Sequence, residues 1–403
     1  MHFLYNIGVR LYGAGIRIAS LFLPKAQKWI TGRKNWISQL PEVDQKEVIW
    51  FHCASLGEFD QGLPLMNKIK AEQPTIFLLV TFFSPSGFEH YHKREHQADF
   101  VYYLPLDTPS NARKFIAHFK PAKSFFVKYE FWGNYILEAK KSGSNIYNVS
   151  GIFRPNQRFF KWHGGFFRNI LQQFDHFFVQ NESSQQLLSS IKIANVTITG
   201  DSRFDRVIEN RDKAKENTLI QRFQGNDELV IVGSSWPADE AILTPWINQS
   251  DRKVLIAPHQ VDDKHVEQIA SAISRKSKRY SQLTESSDMN FEVLILDTIG
   301  HLASAYKYGT VAYVGGGFSG SLHNILEPAV FGLPVIFGPK HSRFPEAQAF
   351  IDGGFGFSVQ TTPQFESAFN TITRSIDSIA QKERSFVEAN AGASEKIYTA
   401  TRD

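Results

Sequence analysis

Cysteine is almost absent from this chain of 403 residues: Cys53 stands alone, inside an apolar run. A single cysteine excludes an intrachain disulfide framework and suggests a reducing compartment. Within VIWFHCA it reads as a small buried residue rather than a nucleophile. Metal-ligand patterns are missing as well. There is no CxxC and no HExxH, and the 13 histidines do not cluster at ligand spacing, so no protein-built metal site is expected. No GxxxxGK[ST] loop occurs, and no GxGxxG is followed by an acid about 20 residues on, which leaves an ordinary nicotinamide or P-loop site unsupported. Internal repeats and low-complexity tracts are lacking. So is any clean apolar run of the roughly 20 residues that a spanning helix needs.

Acids are what the N-terminus lacks. None precedes Glu42, whereas Arg10, Arg17, Lys25, Lys28, Arg33 and Lys34 all fall in the same stretch. Phe3, Leu4, Ile7, Leu11, Ile18, Leu21 and Phe22 recur at roughly helical spacing, interrupted by Arg10 and Arg17, and no small-residue cleavage site stands out. This pattern predicts a segment, residues 1–40, lying on a membrane interface, with Trp29 and Trp36 near the headgroups and Lys and Arg facing anionic lipid. The alternative is a helix packed on its own domain. Residues 1–200 carry 23 Lys and Arg against 14 Asp and Glu, and the remainder 21 against 26. The front half therefore favours an anionic partner or surface.

Beyond residue 45, apolar runs alternate with amphipathic stretches. Strand-like runs fall at 48–54, 75–82, 100–104, 123–127, 145–149, 175–179 and 195–199. The series restarts at 228–233, 253–257, 291–296, 310–314, 334–337 and 355–359. Hydrophobicity that is continuous rather than alternating marks strands buried on both faces, as in parallel sheets covered by helices. The length also favours two domains over one. The fold class is therefore α/β, with two Rossmann-like domains, 41–205 and 206–380, followed by a closing helix or tail at 381–403. A cleft between the domains, at the carboxyl ends of their strands, is the expected ligand site.

Function in such sheets belongs to the turns after the strands. The first strand is followed by Ser55-Leu56-Gly57-Glu58 and the fourth by Lys128-Tyr129-Glu130-Phe131-Trp132. In the second series the turns are Gly233-Ser234-Ser235, Pro258-His259-Gln260 and Gly315-Gly316-Gly317. Small residues ahead of a helix expose backbone N–H groups to an anion. Asn324 and Glu327, three apart in HNILEP, share a face if helical, and a carboxylate there can accept both hydrogen bonds of a ribose diol. Glu58 sits at a helix N-terminus, which predicts a lowered pKa, while an anionic substrate would push the other way. Helix capping is its competing role.

Taken together, these blocks become recognisable. FHCASLGEFDQGLPLMNKIK resembles the HxxSxGE segment of the 3-deoxy-D-manno-octulosonic acid (Kdo) transferases of lipopolysaccharide assembly. KYEFWGN, TGDSRFD and GGGFSGSLHNILEPAVFGLPVIFGP are similar to later blocks of that family, in the same order. The resemblance runs to about residue 360. It implies a GT-B glycosyltransferase whose two parallel sheets face each other across a cleft. The first domain would bind a lipid A precursor and the second CMP-Kdo, at the cytoplasmic face of the bacterial inner membrane. It implies no cofactor, no metal in the transfer step and no nucleic-acid partner.

By that resemblance Glu58 is the general base of an inverting transfer, with Ser55, Gly57 and Glu130 on the acceptor side. Ser234, Ser235, His259, Gly316, Gly317, Asn324 and Glu327 fall to the donor. The sequence departs from the family's pattern at His259, which stands where an arginine would hold phosphate. That substitution predicts a weaker or pH-sensitive contact, or one shifted to Lys340, His341 or Arg343. Lys128, Tyr129 and Gly133 are departures near Glu130. The alternative reading is another GT-B enzyme, a transferase or epimerase that uses a UDP-sugar. It would share the double Rossmann pattern but not HxxSxGE together with HNxLEP.

Overall fold

The central strands in the first half of the chain are buried along their whole length, as strands of a parallel sheet covered on both faces are. The computed structural model describes residues 2–43 and 46–402. Its first sheet contains β1 (Val48–Cys53), β2 (Phe77–Phe82), β3 (Phe100–Tyr103), β4 (Lys123–Val127), β5 (Asn145–Gly151), β6 (His176–Val179) and β7 (Val196–Ile198), in the order β3-β2-β1-β4-β5-β6-β7. All pairings are parallel, with Trp50 of β1 opposite Leu79 of β2 and Ser124 of β4. Alternate side chains of β1 feed two cores. Ile49, Phe51 and Cys53 pack with Phe59, Leu63 and Met66, whereas Val48 and Trp50 pack with Phe115, Phe126 and Tyr135. Cys53 is free and buried, as its apolar setting predicts.

The second sheet repeats the design with β8 (Leu229–Ser235), β9 (Lys253–Pro258), β10 (Ser277–Arg279), β11 (Val293–Ile295), β12 (Val311–Val314), β13 (Val335–Phe337) and β14 (Gly356–Ser358). Its order is β10-β11-β9-β8-β12-β13-β14. Every run predicted as a strand is one. The missed strand is β10, a three-residue polar edge whose side chains are only half-buried. An edge with one neighbour needs no apolar run.

The chain divides into two compact units, Met1–Arg206 with Ala391–Asp403, and Val207–Asn390. Two expected boundaries give way here. The boundary at 381 falls inside the helix Ile376–Ala389, and the following helix, Ala393–Thr401, belongs to the first unit. There Asp205 accepts the N–H groups of Gly392 and Ser394 at 2.5 and 2.6 Å, and Ile397 enters the core.

Nor is the segment 1–40 separate from the first unit. It forms α1 (His2–Ala19) and α2 (Pro24–Thr31). One side of α1 is fixed to that unit: Tyr5 donates to Asp107 at 2.5 Å, and Asn134 donates to Asn6 at 2.9 Å. The other side is bare, with Phe3, Leu4, Leu11 and Ile18, and Leu21 and Phe22 in the turn that follows, between 64% and 78% exposed. Trp29 and Trp36, expected near lipid headgroups, are instead buried. Trp29 packs edge-on to Phe83, and Trp36 against Phe115. No helix among the described residues is long and apolar enough to cross a membrane.

Candidate functional site

In the first sheet the chain runs outward from β1 through β2 to β3, then returns beside β1 as β4. That reversal opens a crevice at the carboxyl ends of β1 and β4, the usual ligand position in open α/β sheets. The turn after β1 carries Ser55, Gly57 and Glu58, and the turn after β4 carries Glu130. The residues expected on the acceptor side are thus brought together by topology.

Glu58 lies at the third position of α3 (Leu56–Glu72), whose N-cap is Ser55. Ser55 makes no side-chain cap bond. Instead the Glu58 carboxylate reaches back to accept the N–H groups of Ala54 and Ser55, half of a capping box. The capping role is therefore real, but it does not set the acidity. Contrary to the sequence expectation, the Glu58 pKa is raised, to about 7. Burial is the largest cause and the charge of Glu130 the second; the two N–H bonds and Lys128 pull only partly back. Beside it, Gly57 is exposed, and a Cβ there would meet nothing within 4 Å, whereas Glu58 itself is buried.

Glu130 is held by residues to which the sequence reading gave no role. The Trp132 indole N–H lies 3.0 Å from both Glu130 Oε2 and His52 Nε2. His52, wholly buried, has Nδ1 2.9 Å from Thr81 Oγ1, which also accepts from Trp50 Nε1 at 2.8 Å. An indole N–H directed at Nε2 favours the tautomer with its proton on Nδ1. The signal was available: His52 opens the HxxSxGE block and Trp132 closes the KYEFW block.

The second sheet reverses in the same way between β8 and β12, and the proposed donor residues gather at those strand ends. Ser234 adopts φ +52° and is half-buried. Ser235 does not offer its hydroxyl: it is fully buried and donates to Glu240 at 2.8 Å. The glycine turn is less open than expected. Gly315 N–H bonds to Gly233 O, and Gly316 N–H donates to Asp239 at 3.0 Å. Gly316 has φ +90°, and a side chain there would strike the Ser321 carbonyl. Two of the three glycine N–H groups therefore close the turn on itself.

Asp239 is the organising acid that the sequence reading missed. Fully buried, it accepts from Tyr313, Gly316 and the N–H of Trp236. Asn324 precedes the short helix Leu326–Ala329 instead of lying within it, yet it still donates to Glu327 at 3.3 Å. His259 is exposed and stacks on Trp236, ring centroids 4.4 Å apart, with His323 4.6 Å from it. Burial lowers the pKa of His259, and burial with the neighbouring imidazole lowers that of His323 to about 4. Both are neutral near pH 7, so neither replaces the fixed charge of an arginine. Lys340 and Arg343, on the segment after β13, are exposed.

Comparison with known proteins places this geometry in a class. The structure resembles UDP-GlcNAc 2-epimerase from Neisseria meningitidis, with TM-score 0.63 and 15% identity over 89% of this chain and 99% of that one. It also resembles MurG from Acinetobacter baumannii, with TM-score 0.54 and 14% identity over the same shares. Those likenesses concern the fold, two Rossmann-like units of the GT-B glycosyltransferase type.

Sequence similarity narrows the class. Residues 30–206 match the family model described as 3-deoxy-D-manno-octulosonic-acid transferase (kdotransferase). A 3-deoxy-D-manno-octulosonic acid transferase of Rickettsia bellii is 26% identical over 74% of this chain and 73% of its own length. That of Aquifex aeolicus is 25% identical over 84% and 90%. Several of the other Rickettsia relatives are longer, the chain spanning 65% of their length. Across residues 30–206 and in these relatives, the chain is similar to the Kdo transferases, a family of glycosyltransferases.

Proposed function

We propose that this protein transfers Kdo from CMP-Kdo to a lipid A precursor with inversion at the anomeric carbon, working at the cytoplasmic face of a bacterial inner membrane. Glu58 is the general base. The observation that carries this reading is a carboxyl group at the carboxyl end of β1 whose pKa is raised to about 7, where a base accepts a proton and is still half ionised near neutrality. The acceptor hydroxyl oxygen attacks the anomeric carbon from the face opposite CMP. A carbon–oxygen bond forms as the bond to the CMP phosphate oxygen breaks, its electron pair leaving with CMP, and the hydroxyl proton passes to Glu58.

Glu130 serves this base by its charge, and Ser55 and Gly57 shape the approach. On the second unit, Asn324 and Glu327 suit the ribose of the donor. Ser234, His259 and Gly317 suit its phosphate side, whereas Ser235 and Gly316 hold the turn in shape. CMP-Kdo is a substrate, and no resident cofactor is assigned. The basic first half and the bare apolar side of α1 support docking on an anionic membrane, where a phosphorylated glycolipid acceptor is presented.

Mass spectrometry of products from CMP-Kdo and a tetraacylated lipid A precursor tests the reading. Glu58→Gln is expected to lose about 10²–10⁴-fold in turnover with CMP affinity intact. Undiminished turnover in this variant removes Glu58 as the base. Tighter binding of UMP than of CMP would overturn the donor and favour a UDP-sugar enzyme.

A further inference from the structure

A buried cation in the N-terminal helices has no part in the transfer chemistry. Arg33, two residues beyond α2, is only 8% exposed, yet no carboxylate pairs with it among the described residues. Its Nε donates to the Leu104 carbonyl at 2.7 Å, Nη1 to that of Trp29 at 3.1 Å and Nη2 to that of Phe83 at 2.6 Å. The guanidinium carbon also lies 3.8 Å from the centroid of a Trp29 ring. Carbonyl dipoles and a π face solvate this charge without neutralising it, and a buried ion left unpaired is costly. Burial lowers the Arg33 pKa to about 9, with nearby tyrosines opposing the shift.

Arg33 lines a cavity of about 500 Å³ beside α1 and α2, together with Arg10, Arg17 and Lys34. Those three side chains are exposed and carry no ion pair among the described residues. Four cations and no acid line the same space. On α1 itself, Phe3, Leu4, Leu11 and Ile18 are bare to solvent.

We infer that this cavity is a binding site for the phosphate group of an anionic lipid headgroup. Guanidinium groups match phosphate oxygens in charge and in hydrogen-bond geometry, and a doubly charged phosphate monoester supplies the counter-charge that the fold withholds from Arg33. Lipid is the source because the exposed apolar residues of α1 belong to the helix that also lines the cavity. The inference deepens the membrane reading given above and rests on it.

The test uses the full chain and sedimentation with phosphatidylcholine vesicles containing phosphatidic acid, or phosphatidylglycerol at equal surface charge. The wild type is expected to bind the phosphatidic acid vesicles about tenfold more tightly. The exposed triple variant Arg10→Gln, Arg17→Gln, Lys34→Gln should lose that preference while keeping the wild-type circular dichroism spectrum. Equal affinity for the two vesicle types overturns the headgroup site but leaves membrane association standing, whereas failure to bind any vesicle overturns both. Stabilisation by millimolar inorganic phosphate without a vesicle preference would make this a site for free phosphate and overturn the lipid assignment.

Discussion

Glu58 shows how one side chain acquires an acidity that its local sequence argues against. A helix N-terminus should keep the carboxyl acidic, and its two backbone N–H bonds do act in that direction. Burial and the charge of Glu130 act more strongly and raise the pKa from 4.5 to about 7. In the proposed role of base Glu58 works ionised, so kcat/KM is expected to fall about tenfold per pH unit below roughly pH 7. Glu130→Gln should move that acidic limb to lower pH, a shift that pH–rate profiles of the two proteins will read. The same pKa has a cost in stability. The folded chain holds this proton more tightly than the unfolded chain, so stability declines as pH rises from about 4.5 to about 7, and the penalty is complete above that. Glu58→Gln lifts it. Urea unfolding should find this variant more stable than the wild type by about 1–3 kcal/mol at pH 8 and nearly equal to it at pH 4.

At the scale of elements, the turns after β8 and β12 depend on backbone geometry that side-chain chemistry does not announce. Gly316→Ala would place a Cβ against the Ser321 carbonyl at φ +90°. A loss of about 1–3 kcal/mol is expected, with weaker CMP binding, by calorimetry. Most strands were legible because burial on both faces demands continuous apolar runs such as FLLVTF of β2. β10 was not legible, since its pairing to β11 rests on backbone bonds that polar residues make equally well. α1 was legible only on its bare side. Its attachment through Tyr5 and Asn6 depends on Asp107 and Asn134, more than 100 residues away. Deleting residues 1–40 would therefore also strip Trp29, Arg33 and Trp36 from the core. Leu11→Ser with Phe22→Ser is the cleaner change, expected to reduce vesicle binding several-fold while leaving the unfolding midpoint unaltered.

At the scale of the whole molecule, the chain leaves the first unit near residue 206 and returns to it near 391. The returning helix gives Asp205 two N–H donors, places Ile397 in the core and offers the Thr401 carbonyl to buried Lys123 at 2.5 Å. Truncation after Asn390 should destabilise the first unit by about 2–4 kcal/mol and leave the second unaffected. Hydrogen exchange in β1 and α3, compared with that in β8, will show it. Sequence alone established two series of buried strands, the turns at their carboxyl ends and the motif blocks that resemble the Kdo transferases, because periodicity and turn chemistry are local properties. Tertiary structure decided that the Glu58 pKa is raised to about 7, that Trp29 and Trp36 face inward, that Ser235 and two glycine N–H groups are already engaged, and that Arg33 is buried with no counter-ion among the described residues. Most of these depend on desolvation and on partners distant in the chain, which no local pattern encodes.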